Sequence, residues 1–155
     1  MIPEFDHLTN PEIELAYKAP ILVSILIAGA DGTIDRNEIL GAIKTVEKKH
    51  KRSVTSLAKL LQEIGNDFED KFKVLIQEYP YESTQRNPLI TEELKGLNAL
   101  LPKLDKAFAY EFYQALLEIA EKTARSSGGF LGLRKIGEEE AKYIKLPMIV
   151  PVFTT

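Results

Sequence analysis

The chain has 155 residues, of which 45% are hydrophobic, a length and composition that suit one domain with a substantial core. Its formal net charge of −3 gives no reason to expect nucleic acid or an anionic membrane as partner. With no cysteine, disulfides, thiolate metal sites and cysteine nucleophiles are excluded together, and a reducing, cytoplasmic setting is the expectation.

Met1 to Asp6 lacks a basic region followed by an apolar core, so no signal peptide is expected. Thr9 or Asn10 can cap a first helix with Pro11 at its opening position, where the missing N–H costs nothing, and Glu12 and Glu14 favour the helix dipole. Pro20 interrupts the pattern, and the expectation is two helices, the second with Pro20 in its first turn. Ile21 to Ala30, with one serine, is about half the length needed to cross a bilayer, so no membrane insertion is expected. Apolar on all sides, it predicts a central helix surrounded by others.

Gly29 to Ile39 follows as a tight acidic turn, Gly-Ala-Asp-Gly-Thr-Ile-Asp-Arg-Asn-Glu-Ile. Asp31-Gly32 is a turn signal, because Asp tolerates left-handed angles and Gly adopts them freely. Asp35 has the place of a helix N-cap, and Glu38 three residues later can close a capping box. The same spacing reproduces the second half of an EF-hand loop, but the first and third loop positions would be Ile27 and Gly29. Asp31, Asp35 and Glu38 alone are an incomplete shell for a cation that wants six to eight oxygens, and local rules favour turn plus cap.

Ile39, Ile43 and Val46 define one stripe of the next helix, whose C-terminus collects Lys48, Lys49, His50, Lys51 and Arg52 against the helix dipole. Ser53 or Thr55 opens a helix carrying Leu57, Leu60, Leu61 and Ile64, ended by Gly65. Asn66 or Asp67 caps another with Phe68, Phe72, Leu75, Ile76 and Tyr79 as a core stripe, stopped by Pro80. Tyr81 to Pro88 reads as a long surface loop joining two halves, and Thr91 as the cap of a short helix with Leu94, Leu97 and Leu101. The longest helix is expected at about 103–126, with Leu104, Phe108, Phe112, Ala115, Leu116 and Ile119 inward. Glu111, Glu118 and Glu121 are expected to be solvated, with Glu118 and Lys122 a supporting pair. Ser126 to Lys135 is a Gly-rich loop whose Phe130, Leu131 and Leu133 tuck inward, and a last helix is expected at about 138–145. Two prolines keep the apolar tail 147–155 extended, packed on the helices or on a neighbouring chain. His7 and His50 lack zinc or di-iron spacing and read as ordinary surface residues.

Ala30, Asp31, Gly32, Ile34 and Glu38, at the end of an apolar helix, resemble the first motif of the TerB-like, tellurite-resistance family. A looser second copy runs from Leu116 to Ala120 through Ala124 to Gly129 and resumes at Lys135 to Glu140, with Ser127-Gly128 where a second Asp-Gly would stand and Gly137 near the place of Asp35. The resemblance spans about 11–146. It implies an all-α fold of two related helical halves and acidic residues that hold metal ions in stress and metal-resistance systems, rather than an enzyme.

The expectation is therefore a single all-α domain over 1–155 of about seven to nine helices, with degenerate halves at about 9–80 and 88–146 and the tail at 147–155. Its function is expected to be non-enzymatic cation binding or sensing. Asp31, Asp35 and Glu38 supply carboxylates, and Glu138, Glu139 or Glu140 completes the shell if the halves bring their turns together. The cofactor is a divalent cation, with no organic cofactor. The alternative is a protein-protein interaction module in a stress-response or membrane-associated complex, with structural turns and a partner or second copy held through the apolar tail.

Overall fold

Thr9 starts the central helix with both arms of a capping box: its hydroxyl accepts from the Glu12 N–H at 3.3 Å, and the Glu12 carboxylate accepts from the Thr9 N–H at 2.9 Å. The computed structural model describes residues 1–29, 35–127 and 138–153, apart from the side chains at 127 and 138–140. Helix α1 spans Asn10–Ala28 without a break, which corrects the expected division at Pro20. An interior proline costs about 3 kcal/mol, but every residue from Ala19 to Ala28 is buried. Burial of that much apolar surface outweighs one missing backbone bond.

The remaining helices are α2 (Arg36–Lys49), α3 (Leu57–Asn66), α4 (Phe68–Glu78), α5 (Ser83–Lys95), α6 (Leu97–Leu100), α7 (Lys106–Ser127) and α8 (Glu138–Tyr143). Short 3-10 turns lie at Pro3–Phe5 and Leu101–Lys103. The fold is all-α, and α1 is its centre, packed by α2, α5, α7 and α8 and touched by α3, α4 and α6. No helix among the described residues is long and apolar enough to cross a membrane.

Helices α1 and α7 run in the same direction. Lys103, just before α7, pairs with Glu12 in the first turn of α1 at 2.5 Å, and the Thr123 hydroxyl lies 3.5 Å from that of Ser24 near the other ends. The C-terminal ends of α1 and α7 therefore lie at the same end of the bundle.

Other regions also depart from the sequence expectation. Tyr81 to Pro88 is not a loop: α5 begins at Ser83, contains Pro88 and Thr91, and buries Arg86 and Asn87 with Ile90 and Leu94. Those positions share one helical face, and two polar members masked its periodicity. The N-cap position of α3 is Ser56, which makes no side-chain cap bond, while the Thr55 hydroxyl accepts from the Leu57 N–H at 3.4 Å. The Glu4 carboxylate, brought in by the first 3-10 turn, accepts from the Ser56 N–H at 3.0 Å, while Ser53 and Thr55 donate to Glu111 on α7. Glu111 and Glu118 are thus tertiary partners and not solvated. Glu118, its side chain 19% exposed, meets Lys49 at 3.0 Å and His50 at 3.2 Å in place of the expected Lys122. His50 is correspondingly enclosed, and His7, though exposed, sets its Nε2 2.6 Å from the Lys103 carbonyl.

In α4, Phe68 and Leu75 are buried and Phe72 stacks on Phe68 with centroids 5.4 Å apart, but Ile76 is 37% exposed and not part of the core stripe. Helix α7 begins later than expected because Asp105 caps it, accepting from the Phe108 N–H at 3.3 Å. The Gly-rich loop with Phe130, Leu131 and Leu133 lies outside the described residues.

Two outcomes follow from local packing and charge. A Cβ on Gly96, between α5 and α6, would stand 2.9 Å from Leu15 Cδ2 and 3.1 Å from the Glu93 carbonyl, whereas one on Gly41 would meet nothing within 4 Å. Gly96→Ala is expected to cost about 1–3 kcal/mol, and Gly41→Ala, in α2, to stabilise by about 0.5–1 kcal/mol. Urea midpoints at unchanged slope read both; equal midpoints for the two variants would contradict this packing.

The Lys103 ammonium first, and then the Thr9 N–H, hold the Glu12 carboxyl down from its ordinary 4.5 to about 2. Because the folded value lies below the unfolded one, this contribution is complete above the ordinary carboxylate range and is lost as pH falls from about 4.5 toward 2. A side-chain NMR titration is expected to place the Glu12 midpoint near 2 and to move it upward in Lys103→Met.

Candidate functional site

The site predicted from sequence lies at the junction of α1 and α2. Asp35 stands in extended conformation before α2, and one of its carboxylate oxygens accepts from Asn37 N–H at 2.9 Å and Glu38 N–H at 3.3 Å. This is the expected N-cap. Glu38, one turn into α2, is half-buried, and its carboxyl is pushed up from its ordinary value, first by burial and then by the charge of Asp35. A cation placed beside Glu38 would offset the burial and the Asp35 charge that oppose its ionisation.

Glu38 also faces a cleft of about 350 Å³ between α2 and the end of α7, lined by Gly41, Ala42 and Thr45 on one side and Lys122, Arg125 and Ser126 on the other. Arg125 is engaged by Glu121 at 2.5 Å. Lys122 is the other cation on that wall.

Asp31 lies outside the described residues, as do the side chains of Glu138, Glu139 and Glu140; the backbone of the last three opens α8. Among the described residues no group of three or more histidine, aspartate or glutamate side chains is arranged to hold a metal ion. The described part of the proposed shell is therefore Asp35 and Glu38.

The junction is built on a residue that sequence reading missed. Arg86 on α5, 5% exposed, donates from Nη2 to the Gly29 carbonyl and from Nη1 to the Tyr81 carbonyl, both at 2.8 Å. It fastens the last turn of α1 at the entrance to the acidic turn, satisfying a carbonyl that the helix leaves open. Burial lowers the pKa of its guanidinium. The available signal was the 86, 90, 94 spacing running back from Ile90 and Leu94.

A second concave surface lies between α1 and α4. Its floor is Ile13, Tyr17, Val74 and Leu75, and its volume is about 620 Å³. Tyr17 donates to Glu63 and lies under the Lys71 ammonium, 5.5 Å from the ring centroid, and burial with the Glu63 contact raises the pKa of its phenol. Comparison of the chain with protein-family models, with curated proteins and with solved structures returns no match.

Proposed function

We propose that the chain is a TerB-like, non-enzymatic, cytoplasmic domain that binds or senses a divalent cation at the turn between α1 and α2. The observation that carries this reading is the placement of Asp35 and half-buried Glu38 together at the start of α2, with one Asp35 oxygen left free by the cap; burial first, and then the Asp35 charge, oppose ionisation of Glu38. Asp31 is the third carboxylate of the same turn in sequence, and Glu139 and Glu140 are candidates from the second half. An all-oxygen donor set suits hard ions such as calcium, magnesium or manganese. Asp35 serves as cap and ligand at once, because its cap uses one oxygen.

The test is calorimetric titration of each ion into the wild type and into Asp31→Asn/Asp35→Asn/Glu38→Gln. The Asn at 35 preserves the cap, so this variant removes charge with little change in the helix start. Saturable heat in the wild type that disappears in the variant supports the site. Heat that is absent, or that survives the variant, sinks it.

The second reading, an interaction module, is favoured by the cleft between α1 and α4. Its apolar floor and charged rim resemble the grooves that accept amphipathic helices. In that reading the acidic turn only starts α2, and charge removal there leaves partner binding unchanged.

A further inference from the structure

One apolar surface of the fold is covered by the chain itself. The tail after α8 lies against α6, where Asn98 donates from Nδ2 to the Met148 carbonyl at 3.0 Å and accepts on Oδ1 from the Val150 N–H at 2.8 Å, and Ile149 is buried. The groove between α1 and α4 is left open: Val74, 53% exposed, lies on its floor with Ile13, Tyr17 and Leu75. Its α4 wall, 11 residues long, runs for about 16 Å, or three helical turns.

The rim of this groove is acidic once its internal pairs are set aside. Its cations are all engaged: Lys18 meets Glu93 at 2.5 Å, Lys71 meets Asp67 at 3.4 Å, and the Met1 amine meets Glu63 at 3.4 Å. Glu14 on α1 and Asp70 and Glu78 on α4 also line the groove, are exposed, and make no ion pair among the described residues. Asp70, Val74 and Glu78 follow at four-residue spacing, so the exposed apolar contact on that face of α4 stands between two unpaired carboxylates.

Both walls are helices, whose interior N–H and C=O groups are bonded along their own axes, so an extended peptide laid between them finds no backbone to pair with. A helix arrives with its main chain already satisfied and needs only an apolar stripe at i, i+3 or i+4, and i+7. We infer, building on the interaction-module reading, that the groove docks a cationic amphipathic helix of a partner protein. Its aliphatic stripe lies over Ile13, Tyr17, Val74 and Leu75, and its lysines or arginines stand against Glu14, Asp70 and Glu78. Unpaired carboxylates at a docking rim favour such a partner by sign, penalise an acidic helix of the same shape, and speed encounter at low salt.

Two capped, fluorescently labelled peptides of about four helical turns test it, each with leucine along one helical face, one carrying lysine and the other glutamate at the remaining positions. Titrated with the full chain, the leucine–lysine helix is expected to bind about tenfold more tightly, or better, than the leucine–glutamate helix. Glu14→Lys/Asp70→Lys/Glu78→Lys, at three exposed positions, is expected to reverse that order. Val74→Asn keeps the charge and removes an exposed apolar contact; it is expected to weaken the leucine–lysine helix about fivefold or more, which separates the groove from general attraction to an acidic chain. Equal affinity of the two peptides for the wild type, or an order unchanged by charge reversal, overturns the cationic partner, and the interaction-module reading then survives only if Val74→Asn still weakens binding. Binding by neither peptide, or binding indifferent to Val74→Asn, overturns both. If the triple reversal fails to fold by circular dichroism, Asp70→Asn/Glu78→Gln takes its place, with a loss of about fivefold expected for the leucine–lysine helix and an unchanged affinity counting against the inference.

Discussion

Arg86→Met is expected to lower the stability of the fold by about 2–4 kcal/mol. The substitution leaves the buried Gly29 carbonyl, and the part-buried contact at the Tyr81 carbonyl, without the donors that now lie at 2.8 Å, and a buried orphaned carbonyl costs about 1–3 kcal/mol. Relief from burying a guanidinium, visible in its lowered pKa, works in the opposite direction. The two carbonyls are expected to prevail, because removing one partner of a buried charge-assisted pair exposes the whole desolvation penalty of the other. For a chain of this size the loss corresponds to a fall of about 4–16 °C in Tm. Arg86→Lys should recover only part of it, since an ammonium is a point donor and does not span two carbonyls as a fork does. A melting temperature within a degree of wild type for Arg86→Met would remove Arg86 from its role at the end of α1.

A saturating divalent cation is expected to raise stability by about 2.7 kcal/mol at a hundredfold excess over Kd, or about 5–11 °C in Tm. The dependence on pH fixes the sign of the effect. In the cation-free fold the Glu38 carboxyl is raised by burial and by Asp35, so folding loses stability as pH rises through the ordinary carboxylate range toward that raised value. A cation reverses this preference by favouring the ionised form. The thermal shift should therefore grow with pH across the carboxylate range, and Asp31→Asn/Asp35→Asn/Glu38→Gln should abolish it. A shift that is independent of pH, or that persists in the variant, would point to another site.

These two expectations meet at one junction but differ in how legible they were. Asp35 and Glu38 announced themselves by spacing, because an N-cap is a local hydrogen-bonding problem solved within a few residues. Arg86 did not, since its partners are backbone carbonyls, one of them 57 residues away. Glu111 and Glu118 were misread for the same reason: charge on a helix reads as solvated until the fold brings Ser53, Thr55, Lys49 and His50 against it.

The sequence by itself determined that this chain is all-helical, that Ile21 to Ala28 is its buried centre and that Asp35 starts a helix. Periodicity, apolar runs and caps are properties of contiguous residues, and their free energies act before any tertiary contact forms. Only the tertiary structure decided that Pro20 lies inside a continuous helix, that α1 and α7 run in the same direction, and that Arg86 and Asn98 hold backbone from distant segments. The physical reason is that burial energy sums over many neighbours and can override a local cost of a few kcal/mol. A polar side chain's partner, in turn, is chosen by whichever carbonyl or N–H the packing leaves unsatisfied.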